Sequence, residues 1–363
     1  MRGEMMRKKG DWKFLMTMGV GISALLLLVS CSSAKTEAPS PVQSGSNGQV
    51  SSTEESASSQ TPQVVRVGMP HKSIITVGLP VAVAIEEGMY QEAGLEIEPI
   101  FTKSGTDNVQ GAIAGSIDIG IESGVLAALG PAMQGAPIKI ISASTTGLDL
   151  IYYVKGDSDL REIEDLAGKK MGIANVGTTS DIAVRALNKV LKFKGLPEAQ
   201  PVSVGGPPDQ LTAVLTGQID AGWGSPPTAL KELDEGKIRV IIESNELEEY
   251  QNVVSRVNFV NTSFLADHPE AVKGFLAAQD KAWDWVFAHP DEAIAIWKEF
   301  SELQEDVSTL KRGLDMYTRE MLRLQPLDGL DQVIADGLEF KFIDKEPTEE
   351  QLQQVIDLQY APE

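Results

Sequence analysis

The chain has 363 residues, with 31 Lys and Arg against 52 Asp and Glu, a formal net charge of −21, one cysteine and three histidines. That acidic balance argues against nucleic acid or an anionic membrane surface as a partner, since both reward Lys and Arg; it leaves ligand charge open, because a local pocket can oppose the global sign. A single cysteine excludes an internal disulfide, and three scattered histidines form no metal-ligand pattern, so no metal and no cofactor are expected.

The N-terminus opens with Arg7, Lys8, Lys9 and Lys13, followed by an apolar stretch from Phe14 to Val29 that ends in Leu28-Val29-Ser30-Cys31. A basic start, an apolar run of this length and small residues at its end describe a secretory signal over residues 1–30. The run is short for a membrane span, which needs about 20 apolar residues. The string LVSC resembles the bacterial lipobox, in which the cysteine becomes the first mature residue and is lipidated; Cys31 is therefore expected to carry a lipid anchor. An uncleaved signal anchor with an incidental cysteine is the alternative, and Met1, Met5 and Met6 all remain candidate starts. Residues 32–62 are rich in Ser, Thr, Gln, Gly and Pro and cannot bury enough apolar surface to offset ordering entropy. As a coil, this tether would span roughly 30 Å. Without residues 1–30 the chain keeps 26 basic and 50 acidic residues. The roughly 300 residues that follow the tether exceed the usual single-domain size, so two domains are expected.

Short apolar strands then alternate with amphipathic helices, the pattern of an α/β fold. Strands are expected at 63–68, 95–100, 117–121 and 138–142, and helices at about 80–87, 106–114 and 125–134. Gly88 is a natural C-cap for the first helix. The pattern restarts with strands at 150–154, 170–174, 201–204, 219–223, 240–242 and 257–260 and helices at about 179–193 and 208–216. From Ser263 to Leu358 the chain reads as nearly all helical. Gly115-Ser116-Ile117-Asp118-Ile119-Gly120 recurs as Gly217-Gln218-Ile219-Asp220-Ala221-Gly222. A period of about 100 residues is too long for a solenoid and fits two lobes of similar topology.

Four stretches in order, LPVAVAIEEGMYQEAGLEIEP, GAIAGSIDIGIESG…GAPIKIIS, DLAGKKMGIANVGTTSDIAVRALNKVL and PPDQLTAVLTGQIDAGWGSPP, carry a family likeness. From about Val64 to Phe300 the chain resembles the NMT1/THI5-like solute-binding proteins of ABC importers, which take sulfonates, taurine, nitrate and pyrimidine precursors. The resemblance implies a two-lobed type II periplasmic-binding-protein fold with a hinge and C-terminal helices. Lobe one would span 64–145 plus 258–363, and lobe two 146–257. It also implies a small-molecule ligand between the lobes, an ABC permease and ATPase as partners, a monomeric extracytoplasmic protein, and binding by lobe closure with no chemical step. Two rivals accompany it. The same fold family includes enzymes that make a pyrimidine precursor, and a ligand-presenting sensor subunit would share the sequence features.

In open α/β sheets ligands sit beyond the carboxyl ends of strands, which selects specific loops. Gly172 to Ser180 has phosphate-loop glycine spacing, but Thr178 stands where the lysine belongs, so nucleotide hydrolysis is not expected. A helix N-terminus with Thr178, Thr179 and Ser180 remains, suited to anions or oxygen-rich ligands or simply capped by those hydroxyls. Gly105 and Thr106 open the corresponding helix of the first half, and Glu122 and Ser123 close the next strand. Glu122 would repel an anion unless it points away; it would suit a ligand N–H or cation. Trp223 and Ser225 end the equivalent strand of the second half, Trp223 being either a ligand wall or a core residue. His71 and Ser73 follow the first strand. Of Tyr152 and Tyr153, which face opposite ways, only one can reach the cleft. Trp283, Trp285, Phe287 and Trp297 read as core, and His268 and His289, each before a proline, as helix-start residues. No catalytic group is expected.

Overall fold

The computed structural model describes residues 61–362 other than 226, 245 and 246; the expected signal, Cys31 and nearly all of the tether lie outside the described residues. The chain begins with β1 (Gln63–Pro70), α1 (Ile75–Glu86), a short α2 (Met89–Glu92), β2 (Leu95–Thr102), α3 (Gly105–Ile113), β3 (Ile119–Gly124), α4 (Val125–Met133) and β4 (Ile138–Thr146). It continues through β5 (Ile151–Lys155), β6 (Lys170–Ile173), α5 (Thr179–Phe193), β7 (Gln200–Ser203), α6 (Pro207–Leu215), β8 (Gly222–Gly224), α7 (Leu230–Asp234), β9 (Ile238–Glu243) and β10 (Val254–Asn261). Helices α8 (Thr262–Asp267), α9 (Pro269–Ala288), α10 (Pro290–Ser301), α11 (Val307–Leu314), α12 (Leu330–Glu339) and α13 (Glu349–Val355) follow. Among the described residues no helix is long and apolar enough to cross a membrane.

Helix α1 starts five residues before the expected position, leaving Pro80 inside it. Ile75, Val77 and Leu79 are all buried, and the apolar area they remove from water outweighs one lost backbone hydrogen bond. Gly88 follows the helix with φ 69, as expected of a glycine past a helix end. The C-terminal third is less helical than its sequence suggests, with long irregular stretches between α11 and α12 and between α12 and α13. Pro269 and Pro290 open α9 and α10, with His268 and His289 as their N-caps.

One five-stranded sheet runs β2-β1-β3-β10-β4. Strands β1, β2 and β3 are parallel, while β10 is antiparallel to both β3 and β4. In the second half β8-β5-β9 form an antiparallel sheet and β6-β7 a parallel pair, joined by a parallel bridge between Met171 and Ala221. The resulting order, β7-β6-β8-β5-β9, repeats the order of the first sheet strand for strand.

The glycine–Asp echo in the sequence sits at equivalent places in these two sheets. Asp118 accepts the Arg66 backbone N–H and Asp220 that of Lys170, each at 2.8 Å. The Asp118 and Asp220 N–H groups return bonds to the Arg66 and Lys170 carbonyls at 2.9 Å. This local closure is why β3 and β8 begin after the aspartate rather than at Ile117 and Ile219. Gly115 and Gly217 have φ 76 and 75, a backbone that L side chains adopt only under strain.

The larger core cluster draws residues from both halves, and a smaller one gathers on the other face of β5 around Tyr153, Val214 and Ile238. Tyr152 belongs to the first cluster and Tyr153 to the second, the alternation expected of a strand. Trp283 and Trp297 are buried, as read from the sequence, whereas Trp285 and Phe287 are only partly so.

Candidate functional site

Four helices start around one cavity. Ile74, Ser104, Gly124 and Thr178 are the N-caps of α1, α3, α4 and α5, and all four line it. Each strand-to-helix connection is short, so the helix begins where the strand ends and its positive end faces the sheet edge. Only Ser104 caps its helix by side chain, accepting from the Asp107 N–H; α1, α4 and α5 have no side-chain cap. The cavity is about 40 Å³, room for roughly three waters at 10–15 Å³ each.

Seven of the eleven residues singled out in the sequence line this cavity: His71, Gly105, Glu122, Thr178, Thr179, Ser180 and Trp223. Four do not. Ser73 lies outside the lining, and the Ser123 hydroxyl, fully buried, donates back to the Ile121 carbonyl at 3.3 Å. Thr106 donates to the Val176 carbonyl at 2.9 Å, bridging α3 to the loop before α5. Ser225 is buried with no hydrogen-bond partner for its hydroxyl, but away from the cavity wall.

The Thr178 and Ser180 hydroxyls at the start of α5 bind their own loop rather than capping the helix, and the Thr179 hydroxyl donates to the Ser255 carbonyl at 3.4 Å. Thr178 donates to the Asn175 carbonyl at 2.7 Å and lies 3.0 Å from the Ser180 hydroxyl, which accepts the Ala174 N–H at 2.9 Å. Asp181, fully buried, accepts the Gly177 N–H at 2.9 Å and is held by Arg185 Nε at 3.0 Å. The Tyr152 hydroxyl donates to the Ser180 carbonyl at 2.8 Å, so this tyrosine supports the loop from behind and neither Tyr152 nor Tyr153 lines the cavity.

Sequence reasoning missed Arg256, which reaches the cavity from β10 and is 6 % exposed. Its signal was present, a lone charge in the apolar run Val253-Val254-Ser255-Arg256-Val257. Arg256 Nη2 donates to Asp149 at 2.6 Å, and Asp149 accepts the Tyr317 hydroxyl on its other oxygen at 2.6 Å. Arg256 Nη1 has no hydrogen-bond partner, and Glu122 Oε2 lies 3.7 Å from it. Both Glu122 oxygens are 3.2 Å from the Thr145 hydroxyl, and its backbone N–H donates to Asn258 Oδ1 at 3.1 Å. Burial pushes the Glu122 carboxyl above its usual range, an effect that Asp149 reinforces and that Arg256 and the nearby Thr76 and Ser144 hydroxyls oppose. Burial and two carboxylates shift the Arg256 guanidinium in opposite directions, and the carboxylates prevail, so it stays charged.

Two other buried nitrogens of lining residues have no hydrogen-bond partner, the donor Trp223 Nε1 and the His71 ring nitrogen Nε2, which donates or accepts according to tautomer. Burial lowers the His71 pKa despite the Lys103 backbone and the Asp209 and Asp107 carboxylates, which pull it up. The ring packs so tightly on Gly206, the N-cap of α6, that a Cβ there would lie 2.2 Å from its Cε1. Trp297 Nε1 and the Ser301 hydroxyl fix the loop by donating to the Lys72 carbonyl at 3.0 and 2.8 Å. His71 and Glu122 have φ of 60 and 51, strained conformations for non-glycine residues that cluster at functional sites.

The profile of a family described as NMT1/THI5 like matches residues 76–293. A Brucella abortus (strain 2308) protein, named as a candidate binding protein, is 27 % identical over 255 residues, 67 % of this chain and 74 % of its own. A Candida albicans protein named 4-amino-5-hydroxymethyl-2-methylpyrimidine phosphate synthase is 26 % identical over 248 residues, 64 % of this chain and 70 % of its own. Among solved structures, the alkanesulfonate-binding protein SsuA of Xanthomonas axonopodis, bound to MOPS, superposes with a TM-score of 0.66 at 19 % identity, covering 82 % of this chain and 99 % of that one.

Proposed function

Since the chain belongs to the NMT1/THI5-like family and has the α/β fold of periplasmic binding proteins, we propose that it is an extracytoplasmic solute-binding lipoprotein serving an ABC importer. Its ligand is a small polar solute held in the cavity at the starts of α1, α3, α4 and α5. The observation that carries this reading is the pair of buried donors on one cavity wall without hydrogen-bond partners, Trp223 Nε1 and Arg256 Nη1, beside the unpaired ring nitrogen His71 Nε2. A buried unpaired donor costs about 1–3 kcal/mol, and a ligand oxygen recovers it.

In this reading one lobe carries the first sheet, residues 64–146 and 254–363, and the other residues 147–253. Divisions at 145 and 257 would cut β4 and β10, which pair with each other, so the segments between β4 and β5 and between β9 and β10 serve as hinge. A cavity of about 40 Å³ admits a solute only when the lobes part, and the solute favours closure by touching both. Closure then presents a joint surface to permease and ATPase partners, with the monomer tethered at Cys31. Cys31→Ala should release the protein from membranes and abolish acyl labelling; retention on the membrane refutes the anchor. Small-angle scattering of the mature protein with a bound solute should show compaction, and an unchanged radius of gyration refutes closure. The synthase name of the Candida relative frames the rival reading. A solute recovered with unchanged mass after long incubation supports binding, whereas a converted one supports chemistry.

A further inference from the structure

The charges around the cavity do not leave room for a simple anion. Arg256 is the cation among the described residues that line it, and its short ion pair, at 2.6 Å, goes to Asp149 behind it. Glu122 Oε2 lies 3.7 Å from the other nitrogen, Nη1, outside hydrogen-bonding range. With both carboxylates ionised, Arg256, Asp149 and Glu122 carry one formal negative charge; burial resists that state at Glu122, and a cation seated beside the carboxylate favours it. Glu122 is therefore the anion that the converging helix starts and Arg256 Nη1 face. A second anion would sit beside it in a poorly screened site, where like charges repel strongly.

The backbone points the same way. Glu122 holds φ 51 at the end of β3 while its side chain lines the cavity. The contacts made to its carboxylate within the protein come from donors, the Thr145, Thr76 and Ser144 hydroxyls and, at longer range, Arg256. An ionised, buried carboxylate of this kind is completed by a positively charged donor.

We propose, building on the reading of this cavity as a solute site, that its ligand bears a protonated nitrogen that binds Glu122. An oxygen of the same solute accepts from Arg256 Nη1 or Trp223 Nε1, giving a zwitterion or cation of net charge zero or above. Nitrogen-free oxoanions are poor ligands.

The test uses the delipidated mature chain and a thermal-shift and calorimetric screen of matched pairs. Two suitable pairs are 2-aminoethanesulfonate with ethanesulfonate and 3-aminopropionate with propionate, supplemented by nitrate, small alkylammonium ions and amidines. The expected result is that every binder carries a protonated nitrogen and that its des-amino partner binds at least 100-fold more weakly. Glu122→Gln should narrow that gap to within threefold while circular dichroism stays native. If the variant does not fold, the paired comparison in the native protein decides alone. A nitrogen-free anion that binds as tightly as any amine overturns the ligand class. If its binding is lost in Trp223→Ala, the cavity remains the solute site and only this inference falls. No binding in any class overturns this inference and the solute-site reading together.

Discussion

Asp118 and Asp220 hold the same position in two different sheets, each accepting a backbone N–H of the neighbouring strand at 2.8 Å, from Arg66 and Lys170. Their surroundings differ, since Asp118 is 5 % exposed and also pairs with the Arg66 guanidinium, while Asp220 is exposed. Asp118→Ala should cost about 1–3 kcal/mol because it removes a buried acceptor shared by the half-buried Arg66 N–H and guanidinium. Asp220→Ala should cost under about 1 kcal/mol, since water replaces the lost acceptor. Urea unfolding of both variants checks this; equal losses would show that burial does not set the difference.

Gly124 approaches the loop before α5 so closely that a Cβ would lie 2.7 Å from the Gly177 carbonyl and 3.0 Å from Thr178 Cα. Because those neighbours are backbone, they cannot rotate away. Gly124→Ala should hold the halves apart, with ligand-induced compaction lost in scattering and native circular dichroism kept. Normal compaction in the variant would mean that the loop yields.

Thr106 and the Val176 carbonyl make a 2.9 Å bond across the same gap. A net contribution of about 0.5–1.5 kcal/mol predicts that Thr106→Val weakens solute binding roughly 2- to 10-fold, mainly by faster dissociation. Thr106→Ser, which keeps the hydroxyl, should bind like the native protein. Stopped-flow release rates measure both.

His71 gives a pH signature. Burial lowers its pKa from 6.5, so below about pH 6.5 the unfolded chain binds the proton that the folded chain refuses. Stability from this group therefore falls as pH drops from 6.5 to the folded value. The Glu122 carboxyl is raised from 4.5, which gives the opposite slope, with stability lost as pH rises above about 4.5. His71→Asn tolerates the same left-handed backbone and should remove the first slope only. Denaturation midpoints between pH 4 and 8 should show the native protein losing ground to the variant as pH falls below 6.5. Parallel curves would show that His71 does not titrate on unfolding.

Much of the architecture was legible along the chain because it depends on local periodicity. The helix at 179–193 was expected and found with the same ends, and the Gly–Asp echo marked two equivalent sheet corners before any strand order was known. Pro80 misled, since its preference for a helix start was outweighed by the burial of Ile75, Val77 and Leu79, a gain visible only once the core is assembled. The loops that meet at the cavity were also legible, because strand ends and helix starts are written in glycines, threonines and serines. What each hydroxyl does there was not. Thr178 and Ser180 spend their bonds on their own loop, and Thr106 reaches across to Val176, choices that depend on distances no spacing encodes.

By itself the sequence determined the α/β alternation, the repeated sheet corner and the set of loops from which a site is built, because each follows from patterns within a few residues. Only the tertiary structure decided the charge of that site. Arg256 and Glu122 lie 134 positions apart, and whether a buried carboxylate stands alone or beside a guanidinium depends on a strand from late in the chain entering the first sheet between β3 and β4. Electrostatic energy in a buried site depends on separation in space, and separation along the chain carries no record of it.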